Sequence, residues 1–182
     1  MKVVQTKLKD LLIVEPNVFG DHRGWFCESY NEKVFRKIGI NIKFKQDNHS
    51  YSKQKGVLRG LHFQNEPYAQ SKLVRCTRGK IWDVAVDLRK SSQTYLKWFG
   101  IELTPDNHKM LFIPQGFAHG FITLEENSEV QYKVDNFYNP KTDRTILYKD
   151  PEININWPLY EVVLSDKDQE APYLKDSDVN FK

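Results

Sequence analysis

Cysteine is scarce, with two residues in 182, Cys27 and Cys76. Two thiols cannot build a disulfide framework, and this pair has no metal-ligand spacing. No apolar run approaches the ~20 residues a membrane-spanning helix needs. Met1 to Asp10 alternates charge with single apolar residues and so lacks the apolar segment of a secretory signal. The cytoplasm, reduced thiols and no membrane partner are the expectation. Neither charge sign dominates: 27 Lys plus Arg against 24 Asp plus Glu leave +3, with no basic block. That excludes charge-driven nucleic-acid binding but leaves room for a local site for a small anion. Repeats, low-complexity stretches and linkers are also missing, so residues 1–182 are expected to form a single domain.

Helical periodicity is nearly absent too. Asn31 to Ile38 is one candidate, with Asn31 as cap and Gly39 as stop. A second, short one starts at the cap Ser165 and runs to about Ala171. The rest reads as short strands between turns. Leu73–Thr77 and Lys80–Leu88, joined by Arg78-Gly79, read as a hairpin. Along its second arm Ile81, Asp83, Ala85 and Asp87 face one side, and Trp82, Val84, Val86 and Leu88 the other. Trp98–Leu103, Met110–Ile113, Phe117–Leu124, Glu129–Phe137 and Thr145–Tyr148 continue the series. Strands at this spacing without intervening helices predict an antiparallel sandwich or barrel. The polar tail after Trp157-Pro158 is expected to lie over a sheet.

Chemistry-bearing residues concentrate in three runs: Phe19–Glu28, Gln46–Gln64 and Pro114–Phe121. Gly56 and His62 fit G-x5-H, while Pro114, Gly116 and His119 fit P-x-G-x2-H. Both spacings resemble those of cupin barrels. In metal-binding cupins a second histidine follows two residues after the first; here that position is Gln64. Two ligands of four remain, too few for a tightly held catalytic metal. A site with two histidines and no metal can still move protons. A neutral imidazole removes a proton beside a ketone, and a cation at the oxygen stabilises the enolate by ~3 kcal/mol. A phenol on the far side can return the proton to the other face.

The ordered blocks Phe19-x-Asp21-x-Arg23-Gly24-x-Phe26-x-Glu28, Asn48-His49-Ser50, Gly56–Gln64, Lys72–Arg75, Asp83–Arg89, Pro114–Phe121 and Tyr132-Lys133 resemble the dTDP-4-dehydrorhamnose 3,5-epimerase family. The likeness runs from about Phe19 to Asp168. It implies an all-β cupin-type double-stranded β-helix (jelly roll) with a few short helices, acting as a homodimer without metal or organic cofactor. The implied substrate is dTDP-4-dehydro-6-deoxyglucose, epimerised at both carbons flanking the ketone.

The resemblance implies His62 as base, Tyr132 as proton donor and Asp168 as the carboxylate that orients the base. Lys72 would meet the enolate oxygen or a phosphate. Arg59 and Arg23 would meet the diphosphate, Gln46 and Asn48 the nucleotide, and His119 the substrate. Asp143 and Lys167 fall near further ligand positions. Arg23 and Glu28 lie in the segment the family contributes across the dimer. The residues by themselves leave rivals open. Tyr138 competes with Tyr132, Asp83 competes with Asp168, and Asp168 also fits a helix cap with Ser165. The competing functions are a single-carbon epimerase or keto-isomerase on the same fold, a metal-dependent cupin oxygenase, and a sugar-nucleotide binding module.

Overall fold

The computed structural model describes residues 1–182. Thirteen short strands run through it: β1 (Lys2–Gln5), β2 (Leu12–Glu15), β3 (Val18–Asp21), β4 (Gly24–Cys27), β5 (Gln46–Ser52), β6 (Leu58–Gln64), β7 (Lys72–Arg78), β8 (Ile81–Asp87), β9 (Trp98–Leu103), β10 (Met110–Ile113), β11 (Phe117–Thr123), β12 (Ser128–Val134) and β13 (Asp143–Thr145). Two brief helices interrupt them, α1 (Glu32–Lys37) and α2 (Asp166–Gln169). One sheet has the order β1-β2-β10-β7-β12-β5, and the facing sheet β13-β6-β11-β8-β9. Strands β3 and β4 pair only with each other. Neighbouring strands are antiparallel, and the two facing sheets make a cupin-type jelly roll.

Side-chain alternation explains why β8 is buried on both faces. Ile81 and Ala85 point between the sheets, where they meet Val74, Leu111, Phe117 and Val130. Val84 and Val86 point the other way and pack against Ile153, Ile155, Leu174 and Phe181 of the C-terminal segment. The expected covering of a sheet by the tail is therefore real. The outer face of the six-stranded sheet is closed by α1, which inserts Phe35 against Val14, Leu73 and Met110. Asn31 caps α1 by accepting from Lys33 N and Val34 N, and Gly39 follows its end at φ +89°.

The expected hairpin of β7 and β8 does not form. β7 pairs with β10 and β12 in one sheet, while β8 pairs with β9 and β11 in the other. Gly79 turns the chain across the corner between the sheets with φ +71°, and a Cβ there would lie 2.4 Å from Ser128 Oγ. A positive-φ glycine serves a corner as well as a hairpin, so the turn signal alone does not separate them. Two further boundaries differ. β12 ends at Val134 instead of Phe137, and β13 spans Asp143–Thr145 instead of Thr145–Tyr148.

Candidate active site

A cavity of about 290 Å³ opens between the sheets. The six-stranded sheet contributes Gln46, Asn48 and Ser50 from β5, Lys72 from β7 and Tyr132 from β12. The five-stranded sheet contributes Arg59, His62 and Gln64 from β6, His119 from β11 and Asp143 from β13. Lys167 of α2 and Tyr138 stand with them.

Strict alternation would send Arg59 and His62 to opposite faces of β6. The β6–β11 register shifts between His119 and Phe121, opposite this segment, so both side chains reach the cavity. Gly60 makes the shift possible. Its φ is +140°, and a Cβ would sit 2.6 Å from Gly120 Cα. No side chain fits there.

His62 Nε2 lies 2.5 Å from Asp168 Oδ1. Ser165 Oγ donates to the other carboxylate oxygen at 3.0 Å and accepts from Asp168 N at 3.2 Å. Asp168 is thus both a member of the capped turn and the partner of His62. Burial pushes its pKa up, but the hydrogen bonds from His62 and Ser165 outweigh it and hold the carboxyl below its usual range. With Nε2 donating to that carboxylate, Nδ1 is the basic nitrogen of His62. Asp83, the rival partner, bonds His119 instead, at 2.8 Å. His119 pairs with His62 across the β6–β11 ladder. Burial lowers its pKa and favours a neutral ring.

Lys72 Nζ donates to the His62 carbonyl at 3.3 Å. Burial drives its pKa down to about 8, against the pull of Asp143 and Asp83. The two tyrosines differ in environment. Tyr138 is 58% exposed, and its hydroxyl donates to Asp143 Oδ2 at 3.3 Å. Tyr132 is partly buried, and burial raises its pKa, so its phenol keeps its proton. Its hydroxyl has no protein partner, which leaves it free for a ligand.

At one end Arg59 donates to Tyr51 O at 3.1 Å and Ser52 Oγ at 3.4 Å, with no carboxylate bound to it. A guanidinium so held is available to an anion. Gln46 Nε2 donates to Asn48 Oδ1 at 2.9 Å, and Lys167 Nζ to Asp143 Oδ2 at 2.6 Å. Gln64, in the second cupin histidine position, is held by the backbone. It donates to Tyr68 O and Phe137 O and accepts from Asn139 N.

Arg23 and Glu28 stand apart from this cavity. Arg23 lies in the turn of the exposed β3–β4 hairpin and pairs with Asp21 at 2.5 Å. Glu28 accepts from Asn31 Nδ2 at 3.1 Å. Ser50, named in a matching block but given no role, and Gln70, not named at all, also line the cavity. Alternation along β5 from Gln46 and Asn48 points to Ser50; no comparable signal marks Gln70.

A family model described as dTDP-4-dehydrorhamnose 3,5-epimerase matches residues 5–176. The dTDP-4-dehydrorhamnose 3,5-epimerase of Shigella flexneri is 54% identical over 179 residues, covering 98% of each chain. A crystal structure of the Bacillus anthracis protein of that name, with TDP and PPi bound, matches with a TM-score of 0.93 and 49% identity over 95% of this chain and 99% of its own. A Legionella pneumophila 3,5-epimerase solved with dTDP-4-keto-L-rhamnose gives 0.93 and 43% over 97% of this chain and 94% of its own.

Proposed function

The chain belongs to the dTDP-4-dehydrorhamnose 3,5-epimerase family, and on that premise we infer how its cavity performs the reaction. The protein is an isomerase that converts dTDP-4-dehydro-6-deoxyglucose to dTDP-4-dehydrorhamnose, a step toward dTDP-rhamnose. His62 takes the proton from a carbon beside the ketone through Nδ1, and Asp168 stabilises the imidazolium that results. The electron pair moves onto the keto oxygen, where the Lys72 ammonium meets the enolate. Tyr132 then gives its proton to the opposite face of the same carbon. The pair returns from oxygen to carbon, and configuration inverts. Solvent then takes the proton from His62 and returns one to Tyr132, and the second flanking carbon follows the same course.

Arg59 meets the diphosphate, Gln46, Asn48, Asp143 and Lys167 hold the nucleotide end, and His119 contacts the sugar. The exposed Tyr138 ring offers a stacking surface for thymine. The observation that carries the reading is the placement of a carboxylate-backed imidazole on one sheet and an unpartnered phenol on the other, with one cavity between them.

A second copy of the chain supplies Arg23 and Glu28 to this cavity. Support comes from the β3–β4 hairpin, which holds Phe19, Trp25 and Phe26 at 63%, 59% and 68% exposure beside Arg23. Such a patch calls for a cover. Residues 1–182 act as one domain of a cytoplasmic homodimer, in keeping with two free cysteines and no helix long and apolar enough to cross a membrane.

The test is incubation with dTDP-4-dehydro-6-deoxyglucose in deuterated buffer containing a chelator, followed by NMR. Deuterium at both flanking carbons with rhamno-configured product supports the double epimerase. Deuterium at one carbon marks the single-carbon relative, and no exchange overturns the reading.

A further inference from the structure

The segment between β12 and β13 crosses from the six-stranded sheet to the five-stranded one, and it carries Tyr138 to the cavity. Tyr138 is 58% exposed, and its hydroxyl reaches only Asp143, at 3.3 Å. Packing does little to fix such a ring. Its placement has to come from the backbone that presents it.

That backbone is clasped by two glutamine side chains, one from each sheet. Gln46 Oε1, from β5, accepts from Tyr138 N at 3.2 Å. Gln64, from β6, takes the peptide groups on either side. Its Nε2 donates to Phe137 O at 3.2 Å, and its Oε1 accepts from Asn139 N at 2.7 Å. The other N–H of the same amide donates to Tyr68 O at 2.6 Å. Two carbonyl acceptors and one N–H donor allow only one orientation of that amide. Gln64 is 3% exposed, two residues beyond His62 on the cavity face of β6. The strand that holds the base therefore also holds the segment that presents Tyr138.

We propose that Gln64 is a positioning residue for nucleotide recognition: it fixes the backbone of Phe137 to Asn139 so that the Tyr138 ring is preset for the base. The inference rests on the reading of Tyr138 as the stacking surface for thymine. Without the clasp, an exposed ring on a free segment would be ordered only when the nucleotide binds, and that lost entropy would be subtracted from affinity. With its amide committed to main chain, Gln64 acts through Tyr138 and not by contact with substrate. The position where metal-binding cupins carry a second histidine is here used to hold a loop.

The experiment is a double-mutant cycle. Affinity for dTDP by calorimetric titration, kcat and KM are measured for the wild type, Gln64→Met, Gln64→Glu, Tyr138→Ala and each Gln64 variant combined with Tyr138→Ala. Methionine keeps the volume and drops every bond of the amide. Glutamate keeps the bond from Asn139 N but sets a carboxylate against the Tyr68 and Phe137 carbonyls. Tyr138→Ala should weaken dTDP about tenfold, within the range for one base stacked on an aromatic ring. Each Gln64 variant should weaken dTDP and raise KM by about five- to tenfold, with kcat within a few fold. In the Tyr138→Ala background the same Gln64 changes should cost less than about twofold, because the ring they position is gone. A Gln64 loss of equal size in both backgrounds overturns the proposal. So does unchanged dTDP affinity in a folded Gln64 variant, or a fall in kcat as large as the rise in KM. Wild-type dTDP affinity in Tyr138→Ala overturns the stacking reading, and the proposal with it, so the two failures are told apart.

Discussion

Replacing Lys72 by methionine should make the protein more stable and less active. Lys72 is 7% exposed, and burial lowers its pKa from the ordinary 10.5 to about 8. At ~1.4 kcal/mol per pH unit, holding the ammonium between the sheets costs about 3 kcal/mol. The attraction of Asp143 and Asp83 is already contained in that value. Methionine keeps most of the stem's packing and gives up the bond from the charged ammonium to the His62 carbonyl, worth about 2 kcal/mol. The net gain is about 1 kcal/mol, or roughly 2–4 °C in Tm for a chain of this size. The sign has a pH signature. The folded-state pKa lies below the unfolded one, so the penalty is complete below pH 8. It shrinks as pH rises toward 10.5 and vanishes above it. Scanning calorimetry of both proteins from pH 6 to 10.5 should show the variant ahead at neutral pH and the gap closing in alkali. Turnover should fall by about 10²–10³. A variant that melts below the wild type at pH 7, or a gap that persists unchanged to pH 10.5, refutes the argument.

His62→Asn should leave dTDP affinity within a few fold and reduce kcat by at least ~10³, read by calorimetric titration and single-turnover NMR; equal losses in both would remove His62 from the role of base. Tyr132→Phe should retain deuterium exchange into the substrate yet lose inverted product, whereas Tyr138→Phe should still make product; the opposite pattern reverses the two assignments. Asp168→Asn should cut kcat by ~10²–10⁴, since the amide no longer stabilises an imidazolium. The low Asp168 pKa contributes stability that is present above the ordinary carboxylate range and lost as pH falls through the folded value, so the wild type's Tm advantage over Asp168→Asn should shrink in acid. Gly60→Ala should cost several kcal/mol, seen as a large drop in Tm or soluble yield, because its Cβ would meet Gly120 Cα; a variant with wild-type Tm would contradict the packing described.

Local rules read much of this molecule. Asn31 and Ser165 cap the two helices foreseen from them, and the alternation along β8 sorted its inner and outer faces. β9 and β10 occupy the predicted residues. What escaped was non-local. Whether Arg78-Gly79 closes a hairpin or crosses between sheets depends on which strands pair with β7 and β8, and those partners lie far along the chain. The choice of Asp168 over Asp83 for His62 depends on where the tail returns, more than a hundred residues from the histidine. β1 through β4 were missed, and so was the seven-residue β5, whose run Gln46–Ser52 holds no aliphatic residue to mark a buried face. The site residues were legible as types in motifs. The Gly60 irregularity that puts both Arg59 and His62 into the cavity was not, because it breaks the very alternation used to read strands.

Because the proton acceptor and the proton donor stand on different sheets, their separation is a packing quantity and not a property of any loop. Facing sheets sit ~10 Å apart, a gap set by the side chains that fill it. The inner core residues, Phe117, Ile113 and Val130 among them, therefore act as spacers for the reaction although none carries chemistry. The gap is a caliper closed on a six-membered ring. A core substitution that thins the sandwich would retune catalysis from a distance, through thickness alone.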